Sequence, residues 1–195
     1  MTIAAVILAG GRGSRLGGVD KALVRIDGTT LLDRAIAAAR SAGCTSIAVA
    51  GPEHDADDAR DVTRVREDPP FTGPAAALVA ALTGPDPGAD WTLVLACDLV
   101  RPDLAVAQLL RDLPLLPGDT DGVCLADDSG RPQWLTGIYR TRTLREAAPA
   151  IPDAGRDAAV RTLMHDLAIA AVRAAPDVIA DIDTWDDLRE WEGTI

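Results

Sequence analysis

Residues 6–23 read VILAGGRGSRLGGVDKAL, an apolar run that leads into a loop rich in glycine and basic residues. The run from Ile3 to Ala9 is short, contains β-branched residues and is closed by glycines, which predicts a buried strand. Glycines allow backbone N–H groups to approach an anion closely, so the following loop is suited to binding phosphate. Lys21 is the single lysine among 19 basic residues. A lysine supplies a compact point charge where arginine supplies a planar fork, which favours a phosphate-contacting role for Lys21.

Two familiar phosphate-binding loops do not fit this stretch. The Walker A pattern GxxxxGK[ST] requires glycine before the lysine and serine or threonine after it, whereas Asp20 and Ala22 flank Lys21. The dinucleotide fingerprint GxGxxG fails at its third glycine, where the sequence has Leu16. The loop is therefore predicted to bind phosphate outside these two classes.

Short apolar runs alternate with amphipathic stretches along the rest of the chain. Such alternation predicts βαβ units, a mainly parallel sheet and one α/β domain over residues 1–195. We predict further strands at 46–50, 62–66, 92–96, 122–126, 135–139 and 178–182. We predict helices at 31–42, 73–82, 102–113, 156–167 and 184–192, the last capped by Thr184.

The composition restricts the function. A net charge of −11 argues against a groove for a long nucleic acid, although the basic residues within 12–25 suit a small anion. No apolar stretch reaches the roughly 18 residues that span a bilayer, and the three cysteines are widely spaced. A cytoplasmic protein with reduced thiols and no membrane partner is therefore expected. With only two histidines, a metal site is expected to use carboxylates, which favours Mg²⁺.

Asp98 directly follows the strongly apolar predicted strand at 92–96 and its Cys97. The carboxyl ends of strands are where open α/β sheets bind ligands. Because Mg²⁺ takes one or two carboxylates together with substrate phosphates, Asp98 is a candidate metal ligand. A second carboxylate could come from Asp181 or Asp183, although both have the alternative interpretation of capping the last helix.

The loop segment LAGGRGSRLGGVDKAL, residues 8–23, closely resembles the LAGGxSxRMGxDK signature of the MobA-like nucleotidyltransferases. Four further stretches resemble segments of that family, in the same order along the chain. They are EDPPFTGPAAAL (67–78), LVLACDLV (93–100), RPQWLTGIYR (131–140) and DIDTWDDL (181–188). The chain looks most like the branch of molybdenum cofactor guanylyltransferases.

That resemblance implies a three-layer, Rossmann-like α/β fold of the GT-A type with a mainly parallel mixed sheet. It implies Mg²⁺-dependent transfer of GMP from GTP to the phosphate of a molybdopterin-type acceptor, with release of pyrophosphate. The double glycine favours GTP, since the cytidylyl branch prefers LAAG. The residues that match the family motifs fall into three groups. These are the catalytic residues Arg15, Lys21 and Asp98, the metal ligands Asp98 and Asp183, and the nucleotide-binding residues Leu8, Ala9, Gly10, Gly11, Gly13, Lys21, Asp68 and Asp98.

The sequence departs from the family pattern in several places. Val100 and Trp134 stand where the family has proline, and Asp181 and Asp183 stand where it often has asparagine. At the end of the second strand, Ala50–Gly51 replaces an asparagine that helps to read the base. Two alternatives therefore remain open: a nucleotidyltransferase that uses CTP or another triphosphate on a different phosphorylated acceptor, and a non-catalytic nucleotide-binding module. The sequence carries no prediction of the oligomeric state.

Overall fold

The computed structural model describes residues 1–10, 19–53 and 62–192. In those ranges the strands are β1 (Ile3–Leu8), β2 (Arg25–Ile26), β3 (Thr29–Thr30), β4 (Ile47–Ala50), β5 (Thr63–Val65), β6 (Trp91–Ala96), β7 (Gly122–Ala126), β8 (Pro132–Arg140) and β9 (Ile169–Arg173). The α-helices are α1 (Leu31–Ser41), α2 (Pro74–Thr83), α3 (Pro102–Asp112), α4 (Thr141–Ala147), α5 (Val160–Met164) and α6 (Trp185–Glu192). Strands and helices thus alternate through most of the described chain.

The main sheet has the strand order β5-β4-β1-β6-β8-β7-β9, and β2 and β3 form a separate hairpin. Neighbours in the main sheet are parallel, except that β8 runs antiparallel to β6 and β7. This confirms the prediction of a mainly parallel mixed sheet. Leu8 at the end of β1 is paired with Ala96 at the end of β6. The segments that follow these two residues therefore leave the sheet side by side, at its carboxyl edge.

Helices cover both faces of the sheet, as β1 illustrates. Ile3, Ala5 and Ile7 pack into a core with α1 and α3, whereas Val6 and Leu8 pack into a second core with α2, α4 and α5. Because successive strand side chains point to opposite faces, an all-apolar strand requires a helix layer on each side. The architecture is the three-layer α/β fold that the resemblance implies. Among the described residues, no helix is both long and apolar enough to cross a membrane.

A smaller apolar cluster joins the β2–β3 hairpin to α6. Its buried members come from the hairpin, the start of α1, the segment after β6 and the C-terminal region: Val24, Ile26, Leu31, Val100, Ile182 and Leu188. Arg34 of α1 donates to the Val100 carbonyl from Nε at 3.1 Å and from Nη2 at 2.9 Å. Burial in this cluster holds the segment after β6, which carries Asp98, against the C-terminal region, and the two hydrogen bonds tie the same segment to α1.

The predicted helix at 156–167 is wrong in its extent, since α5 covers only Val160–Met164. Asp153 and Asp157 have φ angles of 50° and 53°, a left-handed conformation that a right-handed helix does not accommodate. The Asp157 N–H donates instead to the Thr72 carbonyl, at 2.8 Å. A tertiary contact therefore replaces the first turn of the predicted helix.

The predicted strand at 178–182 is also wrong. In this region a single antiparallel bridge pairs Leu99 with Asp181, and the sheet ends with β9 instead. β9 pairs in parallel with β7 over its whole length. Its sequence is Ile-Ala-Ala-Val-Arg and its position is at the sheet edge, so it lacks the strong β-branched, buried pattern that indicates a strand. The sequence pattern also did not indicate α4 or the β2–β3 hairpin.

The close packing of Gly137 against Tyr139 gives a test of the core. A Cβ at position 137 would lie 2.6 Å from Tyr139 Cζ and 2.7 Å from the Val123 carbonyl oxygen. Tyr139 is fully buried and its hydroxyl donates to the Trp134 carbonyl at 2.7 Å, so the ring has little room to move. We expect Gly137→Ala to lower the free energy of unfolding by about 1–3 kcal/mol, measured by urea denaturation. Gly118→Ala is the control, because its Cβ would meet nothing within 4 Å. An equal loss in both variants would contradict the packing argument.

Candidate functional site

Lys21 lies on a 3-10 turn, Lys21–Leu23, that precedes β2. Asp20 caps the turn, since its Oδ1 accepts a hydrogen bond from the Ala22 N–H at 3.1 Å. Ala22 is buried in the core that includes α1. Asp20 and Ala22 do not match the Walker A pattern. They instead hold in place the turn that carries Lys21.

The Lys21 ammonium contacts two carboxylates. Its Nζ lies 3.3 Å from Asp98 Oδ2 and also contacts Asp183 Oδ1. The side chains of Lys21 and Asp98 are only 23% and 25% exposed, so solvent screens this pair less than a surface ion pair. Burial by itself lowers the pKa of Lys21, but the hydrogen bond to Asp183 and the charges of Asp98 and Asp183 raise it overall. The structure thus brings together three of the predicted site residues, with Lys21 charged at neutral pH.

Backbone pairing brings the segment that carries Asp181 and Asp183 to Asp98. The Ile182 N–H donates to the Asp98 carbonyl at 3.0 Å. Ile182 is fully buried in the apolar cluster next to the hairpin. Since side chains alternate along an extended backbone, Asp181 and Asp183 are directed away from that cluster.

A hydrogen-bonded cap at the start of α6 holds the Asp183 backbone. Asp187 Oδ2 accepts from the N–H groups of Thr184 at 2.7 Å and Asp183 at 2.9 Å, and Thr184 Oγ1 accepts from the Asp187 N–H at 3.2 Å. The backbone hydrogen bonds from Thr184 and Asp183 lower the pKa of Asp187. Thr184 is therefore the cap, as predicted, while the Asp183 carboxylate lies against Lys21.

The carboxylates of Asp98, Asp181 and Asp183 form a group suited to a cation. One oxygen from each lies within 4.8 Å of the others. Desolvation, together with the charges of Asp98 and Asp183, raises the pKa of Asp181. The Lys21 ammonium already sits against two members of the group, and hard oxygen donors suit Mg²⁺ and Mn²⁺. The donor set therefore fits a divalent metal, and Asp181 adds a third carboxylate beside the two predicted ligands.

A cavity of about 210 Å³ opens at the end of β1. It is lined by Leu8, Gly10, Glu67, Phe71, Gly73, Pro74 and Ala77. Because β1 and β6 are neighbours, and neighbouring strands lie about 4.7–4.9 Å apart, the cavity and the carboxylate group lie at the same edge of the sheet. Together they offer a largely apolar compartment, with Glu67 in its lining, beside a charged one.

Of the predicted nucleotide-binding residues that the structure describes, only some line the cavity. Leu8 and Gly10 line the cavity, whereas the Ala9 N–H donates to the Ala50 carbonyl at 2.8 Å, within the sheet. Asp68 is exposed and is not among the residues that line the cavity. The predicted positions in the loop itself lie outside the described residues: Gly11, Gly13 and Arg15.

Sequence reasoning missed two residues of the cavity, Glu67 and Phe71. The stretch EDPPF drew attention to Asp68 alone, because that position matches the family pattern. The signal that was available is that Phe71 is the chain's single phenylalanine and stands in a polar, proline-rich loop. An aromatic residue in such a loop has no core to fill, which points to a surface role.

The structure shows the surroundings of three residues that depart from the family pattern. A Cβ at Gly51 would lie 2.8 Å from the Ala9 carbonyl carbon, so glycine is needed there for the backbone of Ala9 to pass. Val100 is 1% exposed and fills the cluster beside the hairpin. Trp134 is half-buried and lines a separate cavity of about 390 Å³ with Arg161 and other residues.

This sheet order, with Lys21 against a carboxylate at the end of the neighbouring strand β6, is the arrangement that the sequence resemblance implies. The MobA-like NTP transferase domain matches residues 5–171. The chain therefore belongs to the MobA-like NTP transferase family and is a nucleotidyltransferase.

Individual relatives agree with this assignment. A probable molybdenum cofactor guanylyltransferase from Synechococcus elongatus is 38% identical over 163 residues, which cover 80% of this chain and 81% of that protein. A nucleotidyl transferase from Methanothermobacter has a similar structure, with a TM-score of 0.72 and 25% identity over 100% of this chain and 99% of the other. The protein Rv0371c from Mycobacterium tuberculosis, solved in complex with manganese, gives a TM-score of 0.65 and 25% identity over 100% of both chains.

Proposed function

We propose that the protein transfers GMP from GTP to the phosphate of a molybdopterin-type cofactor and releases pyrophosphate, with Mg²⁺ as the metal. The observation that carries the proposal is the contact of Lys21 with Asp98 and Asp183 beside the cavity at the end of β1. The relative named as a molybdenum cofactor guanylyltransferase supports the choice of nucleotide and acceptor. The free cysteines support a cytoplasmic location.

The transfer needs positioning and charge rather than a protein nucleophile. An oxygen of the acceptor phosphate attacks the α-phosphorus of GTP, the bond from that phosphorus to the bridging oxygen breaks, and pyrophosphate takes the electron pair. Lys21, assisted by Arg15, neutralises the charge that grows on the departing pyrophosphate. Leu8 and Gly10 place the base at the end of β1, so that the phosphates extend toward Asp98.

Asp98 and Asp183 are the proposed metal ligands, and Asp181 adds negative charge next to them. A bound Mg²⁺ would supply charge stabilisation for the phosphate oxygens. The manganese complex of the structural relative supports a divalent metal in this fold. The hydrogen bonds from the Asp183 and Thr184 N–H groups to Asp187 keep the second ligand in place.

Thermal unfolding with each nucleotide tests the choice of GTP. At a hundred times its dissociation constant, a ligand stabilises the native state by about 2.7 kcal/mol. For a chain of this length that corresponds to a rise in Tm of roughly 5–10 °C. We expect GTP with Mg²⁺ to raise the Tm by this amount, and equal concentrations of CTP or ATP to raise it much less.

Mass spectrometry of the products completes the test. Incubation with GTP, Mg²⁺ and molybdopterin cofactor is expected to yield pyrophosphate and the guanylylated cofactor. A larger Tm rise with CTP, together with a cytidylylated product, would identify the alternative nucleotidyltransferase. Nucleotide binding without pyrophosphate from GTP or CTP would instead favour a non-catalytic module.

A further inference from the structure

The described fold does not require glycine at position 10, and the absence of a side chain there leaves open space. Among the described residues, a Cβ at this position would find its nearest neighbours at ordinary contact distances, 3.7 Å from Gly51 Cα and 3.9 Å from the Ala50 carbonyl oxygen. Gly10 is not among the residues with a positive φ angle, so its backbone does not need glycine either. It is exposed and lines the cavity at the end of β1. The missing side chain therefore makes room for a ligand.

Phe71 presents an aromatic ring to the same cavity. Phe71 as a whole is 46% exposed, and its φ angle is 64°, a left-handed conformation that has an energetic cost for a residue other than glycine. The guanidinium carbon of Arg66 lies 5.4 Å from the ring centroid. An exposed aromatic ring that is held at such a cost is the kind of surface on which a planar base stacks.

Among the described residues that line the cavity, Glu67 is the one with an acidic side chain. Its Oε1 accepts a hydrogen bond from the Phe71 N–H at 2.8 Å, which orients the carboxylate and couples it to the aromatic ring. In the part of the chain that the structure describes, Oε2 accepts no comparable hydrogen bond. A carboxylate accepts several hydrogen bonds through its two oxygens, so Glu67 keeps accepting capacity for a ligand in the cavity.

We propose that Glu67 determines the specificity for guanine, with Phe71 as the stacking surface for the base; this inference rests on the proposed function. Guanine carries two adjacent donors, the N1–H and the 2-amino group, and one carboxylate accepts from both. Adenine and cytosine instead place a ring-nitrogen acceptor next to their amino group, so one carboxylate oxygen would face a lone pair. Glu67 therefore selects guanine and rejects both other bases.

The size of the cavity agrees with a base as its occupant. Its volume of about 210 Å³ is below the roughly 300–1,000 Å³ of sites that enclose whole drug-sized ligands. A single ring system therefore occupies it, while the ribose and phosphates extend along the sheet edge toward Lys21 and Asp98. Reading a base through its Watson–Crick edge and an aromatic face is a common mode of recognition.

The test compares GTP with ITP, which lacks only the 2-amino group. Dissociation constants are measured by calorimetry in the presence of Mg²⁺ for the unchanged protein, Glu67→Gln and the matched control Glu146→Gln. Glu146 lies on α4 with an exposed side chain paired to Arg142. We expect the unchanged protein and the control to bind GTP about 10-fold more tightly than ITP. In Glu67→Gln we expect a loss of about 10- to 100-fold for GTP and a GTP/ITP ratio near one.

The design separates recognition from a purely structural role. Glutamine keeps a carbonyl oxygen that can accept from the Phe71 N–H, so equal losses for GTP and ITP in Glu67→Gln would mean that Glu67 only supports the loop. Unchanged affinities would also overturn the proposal. If the unchanged protein binds CTP in preference to GTP, the proposed function itself fails, and the inference fails with it.

Phe71→Leu provides the second variant. Loss of the aromatic face is expected to weaken GTP and ITP by the same factor, about 10-fold, and to leave their ratio as in the unchanged protein. The proposal would be overturned if the ratio of GTP affinity to ITP affinity fell to one in Phe71→Leu but stayed unchanged in Glu67→Gln. That result would mean that Glu67 does not recognise the base.

Discussion

Asp98→Asn is expected to reduce turnover by about 10³-fold or more while leaving GTP binding within about 10-fold. A metal contributes several kcal/mol of charge stabilisation in the transition state, and each 1.36 kcal/mol corresponds to a factor of ten in rate. Asparagine has the same shape but lacks the charge that holds the metal and pairs with Lys21. The hydrogen bond from the Ile182 N–H to the Asp98 carbonyl does not depend on the side chain, so the local fold should persist.

The measurements are pyrophosphate release with GTP, Mg²⁺ and molybdopterin cofactor, and calorimetry with GTP. Asp103→Asn is the matched control, because Asp103 lies in the first turn of α3 and pairs with Arg101 rather than with Lys21. It should keep nearly full activity. More than about a tenth of normal turnover in Asp98→Asn would remove Asp98 from the proposed metal site.

Lys21→Met is expected to change two measurements in opposite directions. Loss of the ammonium removes a contact to the charge that develops on pyrophosphate, which should lower kcat/KM by about 10²- to 10³-fold. The same change frees Asp98 and Asp183 from a competing cation. We therefore expect Mn²⁺ to bind more tightly in the absence of nucleotide, on the order of tenfold.

Mn²⁺ binding can be followed by electron paramagnetic resonance of the free ion. Arg25→Met is the control: it removes one positive charge close in sequence, from a side chain that donates to the Gly28 carbonyl. It should leave the Mn²⁺ affinity nearly unchanged. Weaker Mn²⁺ binding in Lys21→Met would show that the ammonium does not compete with the metal.

The parts of the fold that could be predicted are those that local chemistry specifies. β1 is uniformly apolar and β6 is apolar except for Thr92, and their parallel register brings the residues after Leu8 and Ala96 to one edge. Lys21 follows β1 and Asp98 follows β6, so their contact is expected once both strands end at the same edge. The start of α6 directly after Thr184 was predictable too, because a threonine cap leaves a local signal.

The remainder depends on contacts between distant segments. α5 begins late because the backbone of Asp157 turns left-handed and bonds to Thr72, and no local pattern announces that contact. β9 is recognised only through its pairing with β7. Glu67 could not be told from Asp68 by sequence, since the loop conformation that includes Phe71 decides which of two adjacent carboxylates reaches the cavity.

The bridge between Leu99 and Asp181 joins two segments of the chain that are synthesised at different times. Asp98 follows Lys21 by 77 residues and Asp183 follows it by 162, while the ribosome adds about 5–20 residues per second. A nascent chain therefore carries its lysine and first carboxylate for several seconds before the second carboxylate exists. Under the proposed metal assignment, an unfinished or prematurely terminated chain without Asp183 lacks the second metal ligand, and we expect it not to consume GTP.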